Sequence, residues 1–369
     1  MSKKDIELVK QSLFYLPEQI LTSWKESCEA FGGAKKQINA IAVFGMGSSG
    51  LGADIVKSMM RAQILTPFAI INNYSVPFFV DEKTLCIFSS YSGNTEEVIE
   101  AYKEVKKRGA QMCVIATRLR SSGIGTSAFA KATADKSARQ AGSKLEIMAQ
   151  KDKIPAYIIN PKYNPAGAPR LGVGYSVGAI LGALCAYGVL GLSRASVDME
   201  LKRIFPSSDE IKKKTAHFSV LGKVLAKRIF GRVPVLVGSS HLEGAVHTFA
   251  NEINETAKNF SAHFYLPELD HHLLEGILKP AGLKKNLFFI IFQSELYHPR
   301  IARRCKLTAE VLKKNGISNL ILNPSQTSLI GEALDITILG CFTAYFLSKL
   351  NKVNPLPNPW VDYFKKKLK

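Results

Sequence analysis

The residues best suited to chemistry in this 369-residue chain are three hydroxyl side chains in one turn, Ser90, Ser92 and Thr95. They follow an apolar run at 85–88, which reads as a buried strand, and they precede Glu96, which opens a helical pattern. A turn at a helix N-terminus offers free backbone N–H groups to an anion. One hydroxyl could simply cap the helix, but a cap needs only one such residue. The cluster therefore predicts a binding site for a phosphate group.

A second turn, at 45–50, follows another predicted strand and has the spacing Gly-x-Gly-x-x-Gly. Dinucleotide-binding folds share this spacing and place an acidic residue about 20 positions further on. Here the next predicted strand ends at Asn72, and no acidic residue follows before Asp81. We therefore expect no nucleotide cofactor and favour a turn that approaches the same phosphate. Its contacts would come from the residues at the tip of the turn, Gly47, Ser48 and Ser49.

Carboxylates and histidines form a second cluster far along the chain. Glu252 and Glu255 are three residues apart, so a helix would place them near one face. His271 and His272 follow shortly afterwards. A carboxylate with a histidine is suited to proton transfer at a sugar carbon. The alternatives are a solvated helix face and a pair of surface histidines.

The composition argues against several classes of function. Hydrophobic residues make up 46% of the chain and charged residues 21%, as in a folded globular protein. The net charge of +19 would suit nucleic acid, but the basic residues are scattered and the only dense run lies at 365–369. The six cysteines are far apart, and neither they nor the histidines show metal-ligand spacing. We expect no nucleic acid and no metal, a reducing compartment, and a small anionic substrate.

One stretch, at 171–192, carries no charge and is long enough to span a membrane. It contains six glycines and stands alone in the middle of the chain. Small residues let a buried helix approach its neighbours closely, so we expect a core or interface helix and no membrane association.

Short apolar runs alternate with helical patterns through both halves of the chain. This alternation predicts parallel sheets with helices on both faces, and the similar halves suggest an internal duplication. We expect a helical segment at 1–36, a first α/β domain at 37–200 and a second at 207–369 that ends in a helix. A segment at 118–141, rich in alanine, serine and basic residues, reads as a low-complexity insertion.

Together these features resemble the sugar isomerase (SIS) superfamily and, within it, the bifunctional phosphoglucose/phosphomannose isomerases. The similar segments follow the order of that family, at 45–50, 90–97, 169–170, 251–258, 268–271 and Lys365. The resemblance implies two flavodoxin-like SIS domains in tandem, each an αβα layer structure with a parallel sheet. It further implies a cytoplasmic homodimer with its active site at the subunit interface, acting in glycolysis and gluconeogenesis.

The resemblance also implies the activity and the residues that perform it. Glucose 6-phosphate, and also mannose 6-phosphate, would be interconverted with fructose 6-phosphate through an enediolate, without a cofactor. Glu255 would move a proton between C2 and C1, and His271 would assist ring opening, reaching the partner subunit's site. Arg170 would stabilise the enediolate and Lys365 would contact substrate hydroxyls. The phosphate would be bound by four hydroxyl side chains, Ser49, Ser90, Ser92 and Thr95.

This chain departs from the family's pattern at three positions. Ser48 stands where the family usually has glycine, and Asp270 and His272 stand where it usually has asparagine. A carboxylate beside His271 would favour its imidazolium form. Two other functions remain open from the sequence, a non-catalytic sugar-phosphate sensor and an isomerase of another phosphosugar.

Overall fold

Two parallel β-sheets form the centre of the protein. The computed structural model describes residues 3–32, 37–117 and 142–368, so the predicted insertion at 118–141 lies outside the described residues. The strands of the first sheet are β1 (Ala40–Phe44), β2 (Phe68–Ile71), β3 (Thr84–Ser90), β4 (Gln111–Thr117) and β5 (Ala156–Ile159). Those of the second sheet are β6 (Val233–Gly238), β7 (Ala262–Tyr265), β8 (Leu287–Phe292) and β9 (Ser318–Leu322).

The two sheets share one strand order. The first runs β2-β1-β3-β4-β5 and the second β7-β6-β8-β9, with every neighbouring pair parallel. In each sheet the order reverses beside the first strand in sequence, and ligands of such sheets bind at the carboxyl ends of the strands at that point. The prediction of two parallel-sheet α/β domains in tandem is confirmed. In the first domain the reversal lies between β1 and β3, where both predicted phosphate turns begin.

Helices cover both sheets and connect the strands. Those before the second sheet are α1 (Lys3–Phe14), α2 (Leu16–Ala30), α3 (Ser48–Met59), α4 (Glu96–Lys107), α5 (Lys144–Asp152), α6 (Val173–Ala186), α7 (Arg194–Ile204) and α8 (Ser208–Ile229). The later ones are α9 (Glu243–Ala257), α10 (Leu273–Gly276), α11 (Leu283–Asn286), α12 (Pro299–Lys314), α13 (Leu329–Leu350) and α14 (Pro359–Leu368). The predicted N-terminal helical segment therefore consists of two helices, α1 and α2. The predicted domain limits at 200 and 207 stay a prediction.

The uncharged stretch forms α6, which packs against α2. Among the described residues, two helical segments, Pro169–Ala186 and α13, are long and apolar enough to cross a membrane. However, 83% of the first segment and 89% of an 18-residue window of α13 are buried inside the fold. The interpretation of this stretch as a core helix is confirmed.

A close helix crossing joins the two domains. Gly244 at the start of α9 lies against α3, where a Cβ atom would be only 2.3 Å from the backbone of Asp54. Its N–H donates to Ser58 Oγ at 3.0 Å, and His247 of α9 contacts the carboxylate of Asp54 at 2.8 Å. Only glycine permits this approach. The helix that carries Glu252 and Glu255 is thus fixed against the helix that starts at the glycine turn.

Candidate active site

The two turns predicted to bind phosphate lie side by side, because they follow the neighbouring parallel strands β1 and β3. Ser49 Oγ accepts a hydrogen bond from the backbone N–H of Tyr91 at 3.0 Å, which ties one turn to the other. The hydroxyls of Ser90 and Thr95 are 2.8 Å apart. The N-termini of α3 and α4 therefore open at the same edge of the sheet, as an anion site requires.

The hydroxyl of Thr95 does not cap its helix. Thr95 occupies the N-cap position of α4, but its side chain makes no hydrogen bond to the first turn of the helix. It pairs with Ser90 instead, while Ser92 Oγ accepts a local hydrogen bond from the N–H of Asn94 at 3.3 Å. The capping alternative therefore does not account for this cluster of hydroxyls.

The glycine turn depends on one left-handed residue. Gly47 has φ of 54°, a conformation that glycine adopts without cost. Ser48 is the first residue of α3, so its backbone is helical and the position has no need of glycine. Asn72, at the place where a dinucleotide-binding fold would hold its ribose, donates to the carbonyl of Gly45 at 2.5 Å. Its amide thus belongs to the turn itself.

Arg170 is the buried cation of the site, only 5% exposed. It lies on a short 3₁₀ helix, Pro169–Gly172, that leads into α6. Its Nε donates to Thr256 Oγ1 at 3.1 Å, and its Nη2 donates to the carbonyl oxygens of Pro355 and Leu356. A buried charge needs such partners, and together they hold the guanidinium in one orientation.

Glu255 of α9 faces this guanidinium across the domain junction. Its Oε2 lies 3.9 Å from Arg170 Nη1 and accepts a hydrogen bond from Asn358 Nδ2 at 2.8 Å. Its side chain is 36% exposed, and within the described residues no hydrogen-bond partner of Oε1 is found. A carboxylate with one open oxygen beside a fixed cation can remove a proton next to a carbonyl, while the cation balances the charge that develops.

Glu252 lies one turn earlier on α9 and is 3% exposed. Thr256 Oγ1 donates to its Oε2 at 3.0 Å, so Glu252, Thr256 and Arg170 form one buried hydrogen-bonded chain. Burial raises the pKa of Glu252 to about 7; the nearby Arg170 opposes this rise and the charge of Glu255 adds to it. The alternative of a solvated helix face is wrong for Glu252.

The structure does not bring His271 to this pair. His271 ends the 3₁₀ helix Glu268–His271 and is exposed, and it makes no hydrogen bond or ion pair with any described residue. The carboxylate of Asp270, expected to act on His271, instead accepts from Arg304 Nη1 at 2.8 Å and from Thr308 Oγ1 at 2.9 Å. Both carboxylate oxygens of Asp270 are thus bound to α12, and among the described residues no hydrogen bond joins Asp270 to His271.

Lys365 lies on α14, exposed at its surface. Asp362 on the same helix is close enough to Lys258, at the end of α9, to favour the charged form of that lysine. Lys365 is three residues beyond Asp362 and so shares its face of the helix. The helix thus approaches the site from the C-terminal end of the chain, and the contact of Lys365 with substrate hydroxyls stays a prediction.

Several residues of the site were not assigned a role from the sequence. Thr256 and Lys258 lie within the run at 251–258, but nothing in that run showed which neighbours contact Arg170. Asn358 lies in the proline-rich segment 353–359 and gave no signal at all. Its role emerges only from the fold, which brings residues about a hundred positions apart into hydrogen-bonding contact.

The equivalent turn of the second domain is filled by the protein's own side chains. After β6, the N–H of Ser240 donates to Glu243 Oε1 at 3.0 Å, and the N–H of Ser239 donates to the hydroxyl of Tyr297 at 3.0 Å. The Glu243 carboxylate therefore takes the position that an anion would occupy at a helix N-terminus. We expect one phosphate to bind per chain, in the first domain.

A groove of about 400 Å³ lies outside this site, between α7 and α8. Its cations are each paired, as Arg203 with Glu200 at 2.8 Å, Lys213 with Glu210 at 2.7 Å and Lys214 with Asp335 at 2.7 Å. A groove with balanced charges offers an anionic substrate little, because its cations are already neutralised by carboxylates. The pair of Arg170 and Glu255 is therefore a better candidate for the active site than this groove.

Comparison with known proteins agrees with this architecture. Residues 36–144 match the SIS domain, and residues 219–368 match the bacterial phospho-glucose isomerase C-terminal SIS domain. A hypothetical protein of Thermus thermophilus has a similar fold, with a TM-score of 0.69 at 15% identity, over 98% of this chain and 89% of its own. The chain is therefore a tandem SIS-domain protein.

Its relatives narrow the class further. A bifunctional phosphoglucose/phosphomannose isomerase of Caldicellulosiruptor bescii is 24% identical over 97% of this chain and 98% of its own. Another, from Thermoplasma acidophilum, is 26% identical over 89% of each chain. Over most of its length the chain is therefore similar to bifunctional phosphoglucose/phosphomannose isomerases.

Proposed function

We propose that this protein interconverts glucose 6-phosphate and mannose 6-phosphate with fructose 6-phosphate. The observation that supports this most strongly is the facing of Glu255 and Arg170, from different domains, at 3.9 Å. The short helix that carries Arg170 also packs against the phosphate cradle, since a Cβ atom at Gly172 would be 2.4 Å from the ring of Tyr91. A sensor that only bound the sugar phosphate would need the cradle, but it would not need an open carboxylate oxygen held against a buried cation. The names of the relatives agree with this reaction.

The proposed reaction moves one proton between neighbouring carbons. In the open-chain aldose, Glu255 Oε1 takes the proton from C2. The electrons of that C–H bond form the C1–C2 double bond, and those of the carbonyl move to O1. The resulting enediolate carries a negative charge that Arg170 balances. Return of the proton to C1 gives the ketose, as the hydroxyl proton on O2 passes to O1 and the C2 oxygen becomes the carbonyl.

A coupled assay tests the function directly. Wild-type protein with fructose 6-phosphate is expected to form glucose 6-phosphate and mannose 6-phosphate, detected with dehydrogenase coupling enzymes. Unphosphorylated fructose should turn over far less, because it lacks the group bound by the cradle. Faster turnover of a pentose or heptose phosphate than of fructose 6-phosphate would support an isomerase of another phosphosugar. Binding of fructose 6-phosphate without turnover would support a non-catalytic sensor.

The cradle hydroxyls should contribute substantially to substrate binding. A hydrogen bond to a charged group is worth about 1.5–3 kcal/mol, so Thr95→Val or Ser90→Ala should lower kcat/KM by about 10- to 100-fold. Most of the loss should appear in KM for fructose 6-phosphate, measured by steady-state kinetics. Thr95→Ser retains the hydroxyl and serves as the matched control. An unchanged KM in Thr95→Val would show that the phosphate binds elsewhere.

We further propose that the protein acts in the cytoplasm as a homodimer in which His271 serves the partner subunit's site. Two observations support this: His271 is exposed without a described partner in its own chain, and α14 presents Trp360, Tyr363 and Phe364 to solvent at 81%, 58% and 62% exposure. Covering such a patch is what a second copy of the chain would do.

Mixing two inactive variants tests this arrangement. Subunit exchange between His271→Ala and Glu255→Gln dimers should create mixed dimers with one intact site each, so that about a quarter of all sites regain activity. Activity of the mixture, measured against each variant alone, is the readout, with light scattering to confirm the dimer. If the mixture stays as inactive as its components although the subunits exchange, His271 and Glu255 act within one chain.

A further inference from the structure

The segment that joins α13 to α14 wraps around the proposed catalytic pair. The carbonyl oxygens of Pro355 and Leu356 accept hydrogen bonds from Arg170, and Asn358 contacts Glu255. Three residues of one short segment therefore contact both partners of the pair. Of these three, only Asn358 offers a side chain, and only Asn358 touches the carboxylate.

The side chain of Asn358 is held from both ends. Its Nδ2 donates to Glu255 Oε2 at 2.8 Å, and its Oδ1 accepts from Lys258 Nζ at 2.7 Å. An ammonium group can only donate and a carboxylate can only accept, so these two neighbours decide which end of the amide is the nitrogen. The N–H that reaches Glu255 is thus oriented by Lys258.

The position of Lys258 is fixed by its backbone conformation and by the hydrogen bonds of its ammonium group. It ends α9 with φ of 52°, a left-handed conformation that glycine usually supplies at this position. Its Nζ donates both to Asn358 and to the backbone carbonyl of Glu255. Burial, together with the nearby Arg170, lowers the pKa of Lys258 to about 8. A left-handed backbone and an ammonium of lowered pKa beside the proposed base are typical of a functional site.

We propose that Asn358 is a positioning residue for Glu255, oriented by Lys258. By holding Oε2, Asn358 aims Oε1 at the substrate carbons while the carboxylate stays against Arg170. The inference deepens the proposed function and rests on it. It assigns no contact with the substrate to Asn358.

Two substitutions separate positioning from general support of the fold. Asn358→Asp keeps the size of the side chain and an oxygen for Lys258, but it turns an oxygen instead of an N–H toward Glu255. Asn358→Leu removes both contacts. We expect each to lower kcat about 10-fold while KM changes less than twofold, since a displaced base slows the proton transfer and not the binding.

The isotope effect distinguishes a displaced base from a loss of folded protein. With glucose 6-phosphate deuterated at C2, both variants should show a larger isotope effect on kcat than the wild type, because C–H cleavage limits turnover more fully. A fall in kcat with an unchanged isotope effect and a lower melting temperature would assign Asn358 a structural role. Wild-type turnover in Asn358→Asp would overturn the proposal equally.

A crystal structure of Asn358→Asp tests the geometry without any turnover. We expect the Glu255 carboxylate to leave its position beside Arg170. If it stays in place, Asn358 does not position it. Absence of isomerase activity in the wild type would count against the proposed function, and the crystal structure would still decide whether Asn358 fixes the carboxylate.

Discussion

Replacing Glu255 with glutamine is expected to lower kcat for fructose 6-phosphate by about 10²- to 10⁴-fold, the usual contribution of a positioned acid–base group. Glutamine matches the size of glutamate, and its amide oxygen can still accept the hydrogen bond from Asn358. KM should therefore change little, because the cradle that binds the phosphate is untouched. The measurement is a steady-state coupled assay, with protein concentration high enough to detect the residual rate.

Two further variants test whether Glu255 specifically is the catalytic base. Glu310→Gln removes an exposed carboxylate on α12, where an ion pair with Lys314 at 2.8 Å contributes little, and it should leave kcat unchanged. Glu255→Asp keeps the carboxylate but withdraws it by one methylene, so an intermediate loss is expected. A Glu255→Gln protein within tenfold of wild-type kcat would place the base elsewhere.

The strands and the phosphate cradle could be predicted because their signals are local. Each strand is a short apolar run, and the run predicted at 85–88 lies within β3 (Thr84–Ser90). The edge strand β7 (Ala262–Tyr265) has a weaker signal in the sequence. His263 interrupts the apolar pattern there, and all four residues of this edge strand are only half-buried. The cradle likewise lies within single strand–turn–helix units, where the groups that act together are neighbours in sequence.

The surroundings of the catalytic pair could not be predicted in the same way. Arg170 contacts Thr256, 86 positions away, and Leu356, 186 positions away. No periodicity or turn signal reports such contacts, because they depend on how α3 and α9 cross at Gly244. The identities of Arg170 and Glu255 came from the resemblance to a family. Their contacts with Asn358 and Thr256 came only from the fold.

Glu252 should make the protein less stable as the pH rises, and replacing it with glutamine should remove that dependence. Burial raises the pKa of Glu252 from 4.5 to about 7 in the native state. Between these values the native chain retains a proton that the unfolded chain releases, so the free energy of unfolding falls with increasing pH. At about 1.4 kcal/mol per pH unit, the total penalty above pH 7 is about 3 kcal/mol.

The difference in stability between Glu252→Gln and the wild type isolates this effect. It should be small near pH 4.5, grow in favour of the variant up to pH 7 and remain constant above it, measured by urea unfolding at each pH. Glu310→Gln, which loses only a surface ion pair, should show no such gain. A difference that does not vary between pH 4.5 and 8 would mean that Glu252 is not protonated in the native state.

Glu252→Gln should also separate the destabilisation that the buried carboxyl group causes from any contribution it makes to the reaction. Glutamine can still accept the hydrogen bond from Thr256, which in turn accepts from Arg170. If orientation of Arg170 is the whole role of Glu252, the variant should be more stable above pH 7 and equally active. If kcat falls while stability rises, the negative charge itself serves the reaction, and the protein retains a destabilising buried carboxylate for that reason.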